Sequence, residues 1–331
     1  MIKQKAIKSL FILGTLVILC LILSSCAAVS DTKVLYFAHS LPTSHPVHKG
    51  ILDMQSILNE KSGGKLQIKV FPDGQLGSER EVLELLQIGS IAITKVSASA
   101  LSNFAPEYQV TVVPYLFRDE AHLWRNLEGE VGEQLLASGS EYLLRGLCFY
   151  DAGARSFYTK EKPINSPDDL TGLKLRVQND QMSVAMANTL GASATPMAFS
   201  ELYTALQQNV VDGAENNIPS FVTSNHFEVC KYYTFDEHTM IPDVVIIGTK
   251  FWDKLSDQEK EWLRAASKES VVNQKRYWKE TIAEQMKMLK ENGVEFTYPD
   301  KVPFQKKSRP VMENLMKDPK MKAIIDKINT N

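Results

Sequence analysis

Short β-rich runs alternate with helix-spaced runs from residue 34 onward, and that order leaves few folds open. Val34 to Ala38 and Leu66 to Phe71 are predicted strands, and between them Val47, Ile51, Ile57 and Leu58 recur at helical spacing over 47–60. Pro72-Asp73-Gly74 is turn chemistry. Ser78 with Glu81 is a capping box that opens a helix running to about Ile88. Ile91 to Ile93 is the next apolar strand. A β-α-β-α-β order predicts a parallel sheet covered by helices. Arg145 to Tyr150 is a further strand. After Gly153 the rhythm restarts, with strands at Phe157-Tyr158, Leu173 to Val177 and Val210 to Ala214. Helices are predicted at Gln181 to Leu190 and Ser200 to Gln208, and Ser166 caps a short turn with Pro167 at the first helical position. Two such units, without a Pro- or Ser-rich linker between them, predict an α/β chain of two lobes crossed by several segments. The 331 residues fit two domains at about 150 residues each. Hydrophobic content of 44% and charged content of 23% exclude wholesale disorder.

The C-terminal third reads differently. Ser256 and Glu259 form a second capping box, and neither Gly nor Pro follows until Gly293. Trp262, Leu263, Ala266, Tyr277, Trp278, Ile282, Met286 and Leu289 keep helical spacing over about ten turns. One helix of that length can brace both lobes. Two abutting helices packed on one lobe would give the same pattern.

The N-terminus has the layout of an export signal. Lys3, Lys5 and Lys8 precede an apolar run from Leu10 to Leu23, shorter than the roughly 20 residues a bilayer span needs. Leu23-Ser24-Ser25-Cys26 resembles a lipobox. Residues 1–25 are therefore expected to be a lipoprotein signal peptide, Cys26 the lipidated residue, and 26–32 a tether. An ordinary signal peptide or a retained anchor is the alternative. The expected location is exported, periplasmic or at the cell surface. Loss of three lysines takes the formal charge from -2 to about −5, so nucleic acid is not an expected partner. Cys148 and Cys230 lie in apolar strand-like surroundings and are expected to be buried thiols, although an exported compartment permits a disulfide.

Catalytic and cofactor signatures are missing from the sequence. It contains no G-x-G-x-x-G after a strand, no Walker loop, no G-x-S-x-G elbow, no H-E-x-x-H and no C-x-x-C. No enzyme and no cofactor is expected. His39, His45 and His48 cluster, but Pro42 and Pro46 break their spacing, so a helix start with one His facing a pocket is favoured over a metal site. Two arginines are more informative. Arg155 stands at a strand end, and Arg176 lies inside the apolar strand Leu173 to Val177. Arg on a core strand requires an anion, and its planar fork matches a carboxylate. On the residues alone, that anion is either an internal acid such as Glu215 or a bound ligand.

Four stretches, in order and at matching spacing, resemble the solute-binding receptors of TRAP transporters. They are Leu76-Gly77-Ser78-Glu79-Arg80-Glu81, Asp169 to Val177, Gly191 to Gln207, and Val211-Asp212-Gly213-Ala214-Glu215-Asn216-Asn217. The resemblance implies a two-lobed periplasmic-binding-protein-like fold with a ligand cleft between the lobes and a long C-terminal helix bracing both. Lobe I would hold 31–152 plus about 242–281, and lobe II 153–241 plus about 282–331. It also implies that Arg176 holds a ligand carboxylate, that Arg155 is the family's second arginine, and that Asn216 hydrogen-bonds the ligand. Arg176-Val177-Gln178-Asn179 and Asp236-Glu237-His238-Thr239 look similar to the branch that binds hexuronates. Glu79, His39, His238 and Gln178 would supply acceptors for hydroxyls and would repel the second carboxylate of a C4-dicarboxylate. The expected function is a lipid-anchored receptor for a small organic acid, such as D-glucuronate or D-galacturonate, that closes and delivers to a TRAP membrane permease. The alternatives are the same scaffold tuned to a C4-dicarboxylate or acting as a sensor, and an exported two-lobed enzyme acting on a sugar acid.

Overall fold

The structure, a computed structural model, describes residues 32–331; the expected signal peptide, Cys26 and all but the last residue of the tether lie outside the described residues. Strands β1 (Lys33–Ala38), β2 (Leu66–Phe71), β3 (Ile93–Ser97), β4 (Leu144–Tyr150), β5 (Arg155–Thr159), β6 (Lys174–Val177), β7 (Ser193–Pro196), β8 (Gly213–Asn216), β9 (Tyr232–Thr239), β10 (Asp243–Gly248) and β11 (Glu295–Thr297) form two mixed sheets. The first has the order β2-β1-β3-β10-β4 and the second β11-β9-β5-β8-β6-β7. The parallel pairs β1–β3, β6–β7 and β6–β8 are those the β-α-β rhythm requires. The antiparallel pairs come from segments that leave one sheet and enter the other.

Helices α1 (Pro46–Ser62), α2 (Glu79–Ile88), α3 (Ala98–Leu101), α4 (Gln181–Leu190), α5 (Ile218–Thr223), α6 (Asp257–Glu291), α7 (Val302–Leu315) and α8 (Pro319–Thr330) cover these sheets. β10 is apolar and buried on both faces, so it shows no alternation. Val245 and Ile247 face a core shared with Ile51 and Met54 of α1 and Leu263 and Trp278 of α6. Val244 and Ile246 face the opposite core, with Leu83 of α2 and Ile325 of α8. On the second sheet, Tyr158 and Tyr233 pack with Phe221 of α5 and Leu289 of α6. Phe157 and Val177 pack with Met186 of α4 and Phe304 of α7. The C-terminal stretch is thus a single helix of 35 residues with one end in the core of each sheet. Its start has the capping box that Ser256 and Glu259 predict. No helix of the described residues is long and apolar enough to cross a membrane.

Two chain segments cross side by side from one sheet to the other. Tyr150 pairs with Asp243 in the first sheet, and Arg155 pairs with Thr239 in the second. The residues between them, Asp151 to Ala154 and Met240 to Pro242, are the crossings. Gln274 of α6 clamps the first crossing at both backbone groups, accepting from Asp151 N–H at 2.8 Å and donating to the Asp151 carbonyl at 2.9 Å. Gly153 takes φ +59 there, and a Cβ would stand 3.1 Å from Trp278. Cys148 and Cys230 are buried free thiols.

Gln274 also sets how closely α1 approaches α6. A Cβ on Gly50 would lie 2.7 Å from the Gln274 Cβ, and Gln274 cannot step aside without releasing Asp151. Gly50→Ala is therefore expected to destabilise the protein by about 1–3 kcal/mol through overpacking, despite the better helix propensity of Ala. Urea unfolding measures this, and a gain in stability would contradict the clamp.

Candidate functional site

A cavity of about 400 Å³ opens where the two sheets face one another across the crossings. Val34–Asn331 is one compact unit, so both walls belong to one body. The first sheet and its helices contribute Glu79, Lys95, Ser97 and Asp243, and the second contributes Arg155, Arg176, Gln178, Phe199 and Asn216. Five of the seven ligand-site residues expected from sequence therefore line one space: Arg176, Arg155, Asn216, Glu79 and Gln178. His39 and His238 do not line it.

Arg176 is central to β6, between β7 and β8, and is 3% exposed. Its Nε and Nη2 donate to a single acceptor, the Met197 carbonyl, at 3.2 and 2.9 Å. No protein carboxylate pairs with it among the described residues. Burial pulls its pKa down from the ordinary arginine value, with Glu215 opposing that and Arg155 adding to it. Arg nevertheless stays protonated in proteins, so the charge is enclosed without a counter-ion. The Met197 carbonyl occupies only the Nε–Nη2 edge. The end of the fork, Nη1 with the second Nη2 hydrogen, remains free beside the cavity and has the geometry for a carboxylate. Phe199 lies below, with the guanidinium carbon 5.8 Å from the ring centre.

Arg155 is the opposite case. Glu215 takes its Nε and Nη2 with both carboxylate oxygens, at 2.5 and 2.9 Å, and Nη2 also donates to the Glu215 carbonyl. Nη1 donates to Asn216 Oδ1 at 2.8 Å. Four of the five guanidinium hydrogens are thus used within the protein, leaving one. The internal acid considered from sequence exists, but it pairs with Arg155 and not with Arg176. The register explains this, because β8 runs antiparallel to β5 with Ser156 opposite Asn216 and Phe157 opposite Glu215. Asn216 Oδ1 accepts from Arg155 and from Asn217 N–H, so its orientation is fixed and its Nδ2 is left toward the cavity.

His238 stands behind this pair, stacked on Phe157 at 4.4 Å. Its Nδ1 is 2.7 Å from Asp236 Oδ2, and its Nε2 is 3.5 Å from Glu215 Oε2, an ion contact too long for a good hydrogen bond. Burial pulls its pKa down, but Asp236 and Glu215 outweigh burial and raise it to about 9. For Glu215, burial is outweighed by Arg155 and His238, and its pKa falls to about 2. The buried row Asp236, His238, Glu215, Arg155 therefore alternates in sign and sums to zero. It holds Arg155 and Asn216 in place without presenting a net charge.

The first-sheet wall carries a further buried cation, which sequence reasoning missed. Lys95 is 1% exposed on β3. Its Nζ lies 3.1 Å from Asp243 Oδ2 and 3.6 Å from Glu79 Oε1. Glu79 Oε1 also accepts from Ser97 N–H at 3.0 Å. Burial raises the Glu79 pKa, Lys95 opposes that, and Asp243 adds to it. A lysine within the apolar run Ile91 to Val96 is the same signal that singled out Arg176, and it would have found this residue.

The histidines divide as their caps dictate. His45 caps α1, its Nδ1 accepting from Val47 N–H at 3.2 Å. Its other ring nitrogen therefore carries the hydrogen, 3.3 Å from Ser220 Oγ, and the ring lines the cavity. Burial, then Lys95, push its pKa well below the ordinary value. One histidine at the helix start thus faces the pocket. His39 sits outside the lining, with Nε2 2.9 Å from His48 Nδ1. Gln178 lines the cavity with its Oε1 buried and, among the described residues, without a hydrogen-bond partner. Beside it, two bonds span the cavity rim: Ser99 to the Asp180 carboxylate, and Asn103 Nδ2 to the Asn179 carbonyl at 2.8 Å.

Two mixed sheets linked by paired crossings, a cavity between them and a helix packed on both cores define a two-lobed solute-binding protein. The family described as bacterial extracellular solute-binding protein, family 7, matches residues 37–318, and the chain belongs to it. These are the extracytoplasmic solute receptors that work with TRAP permeases, a family of transport receptors rather than of enzymes. A TRAP periplasmic solute-binding protein of a Bradyrhizobium species, solved in complex with D-galacturonate, is 38% identical, with a TM-score of 0.89 over 90% of this chain and 100% of that one. A counterpart from Anaerococcus prevotii, with bound D-glucuronate, is 36% identical, with a TM-score of 0.88 over 90% of this chain and 98% of its own. The sialic acid-binding periplasmic protein of Vibrio cholerae is 32% identical over 292 residues, covering 88% of this chain and 91% of its own.

The sign-alternating row predicts a pH dependence of stability. His238 has a folded pKa of about 9 against the ordinary 6.5, so its contribution is fully present below pH 6.5 and is lost as pH rises through 9. Stability is expected to fall across that window by on the order of 3 kcal/mol. Urea midpoints from pH 6 to 10 measure the fall. His238→Gln should flatten it, and an equal decline in the variant would contradict the assignment.

Proposed function

We propose that this protein is a lipid-anchored receptor for a hexuronate, D-galacturonate or D-glucuronate, which it hands to a TRAP membrane permease. The observation that carries the reading is Arg176, a buried guanidinium that pairs with no carboxylate among the described residues and keeps a two-pronged end beside a cavity of sugar size. An enclosed charge of that kind is costly until an anion joins it. A ligand carboxylate accepts from Nη1 and Nη2 of Arg176, while Arg155 offers its last N–H and Asn216 its Nδ2. Hydroxyls of the ligand donate to Gln178 and Glu79, and Phe199 packs against the ring. His238 serves from behind, through Glu215. The bound uronates of the two solved relatives support this ligand class.

The sheets are the cores of two lobes that part at the crossings, Asp151 to Ala154 and Met240 to Pro242. Ligand capture draws them together, and the Ser99–Asp180 and Asn103–Asn179 bonds form as they meet. Cleavage before Cys26 and lipidation of its thiol tether the receptor to the membrane beside the permease.

The test is a thermal-shift panel of galacturonate, glucuronate, C4-dicarboxylates, sialic acid and neutral hexoses. A uronate at 100 times its dissociation constant should add about 2.7 kcal/mol. Arg176→Met should abolish that shift, a loss of about 2–5 kcal/mol of binding, while leaving the unliganded protein no less stable because an unpaired buried charge is gone. A variant that binds as tightly as the parent overturns the reading, as does a panel in which only another acid gives a shift.

A further inference from the structure

We propose that Lys95 and Asp243, acting with Glu79, form a charge filter that reads the uncharged end of the ligand and rejects a second carboxylate. This inference rests on the uronate reading above and names what confers its selectivity.

The filter is built by register. Asp243 opens β10 opposite Ser97, and Val245 stands opposite Lys95, so Lys95 and Asp243 are diagonal neighbours on one face of the antiparallel pair. Their contact is 3.1 Å. Glu79, at the start of α2, reaches the same ammonium from the other side at 3.6 Å, steadied by Ser97 N–H at 3.0 Å. A purely structural ion pair needs one acid for one base. Here two acids share one lysine, and all three line the cavity.

The surplus decides the chemistry. With all three groups ionised, this cluster carries one net negative charge; Arg80 on the same wall is engaged by Glu84 at 3.1 Å, and across the cavity Arg176 carries a positive charge. Lys95 has Asp243 at 3.1 Å and Glu79 at 3.6 Å, so its charge is more than neutralised, while its remaining N–H donors can still meet a ligand oxygen. Among the described residues, Glu79 Oε2 and Asp243 Oδ1 accept no hydrogen bond, and a sugar hydroxyl is a donor. A ligand with a carboxylate at one end and hydroxyls at the other satisfies both walls. The same carbon chain with carboxylates at both ends, an aldarate, brings a like charge against Glu79 and Asp243, which disfavours its binding. Discrimination of this kind works by repulsion as well as by attraction.

Titration calorimetry of galacturonate and galactarate against the parent protein, Asp243→Asn and Glu79→Gln tests the filter. The parent should favour galacturonate by about 100-fold or more, and each substitution should narrow that ratio by about tenfold or more. The open-chain shape of galactarate is the same for every protein tested, so the change in ratio isolates charge. If both ligands weaken equally in the variants and the ratio stands, these residues are structural and the filter is overturned. It is equally overturned if the parent binds both acids alike. Failure of the parent to bind galacturonate at all overturns the uronate reading, and the filter with it. Should Asp243→Asn fail to fold, Glu79→Gln, whose side chain is 19% exposed, decides the question alone.

Discussion

A buried guanidinium without a counter-ion is the constraint on which the rest of this structure turns. Arg176 lies on an interior strand of the second sheet, and among the described residues its acceptor is the Met197 carbonyl. Folding encloses that charge at a cost that a carbonyl dipole offsets only in part. The fold tolerates the cost because the free end of the fork meets a cavity rather than packed protein. Everything around Arg176 keeps it unpaired. Glu215, whose charge acts on Arg176, is held by Arg155 and His238.

The two walls divide the electrostatic work. On the second sheet, Asp236, His238, Glu215 and Arg155 cancel one another and act as a rigid frame for Asn216. On the first, Lys95 is balanced and then overbalanced by Glu79 and Asp243. Arg176 and the Lys95 cluster therefore give the cavity a positive and a negative group on opposite walls. The site is divided between the two sheets, which the paired crossings join, and α6 packs on both cores. Gln274 links the two, because it holds Asp151 in the first crossing while standing against Gly50 of α1.

Local features were legible in the sequence and long-range ones were not. The capping boxes at Ser78 and Ser256 formed as written, because their hydrogen bonds span three residues. The strand and helix rhythm places Arg176 inside a strand as found, whereas Arg155, read at a strand end, opens β5, and Asn216 closes β8 two residues beyond the strand expected to stop at Ala214. Residue type alone could not say which arginine Glu215 would meet, since that depends on how β5 and β8 align. Lys95 and Asp243 are far apart in the chain and meet only through β3 and β10, which the β-α-β pattern does not reveal. β9 was hidden as well: its end, Asp236 to Thr239, reads as a polar loop, although two of those side chains are buried against each other. His39 and His238 looked like ligand acceptors because they sit beside the right residues in sequence. In space, each is turned toward another protein side chain, His48 for the first and Asp236 for the second.

The most direct measurement is a crystal structure of the protein with D-galacturonate. The account predicts the carboxylate end-on to Arg176, with both oxygens about 2.7–2.9 Å from Nη1 and Nη2, and with the Met197 carbonyl still bonded to the other edge of the guanidinium. A carboxylate seated on Lys95, or a fork turned away from the ligand, would contradict it.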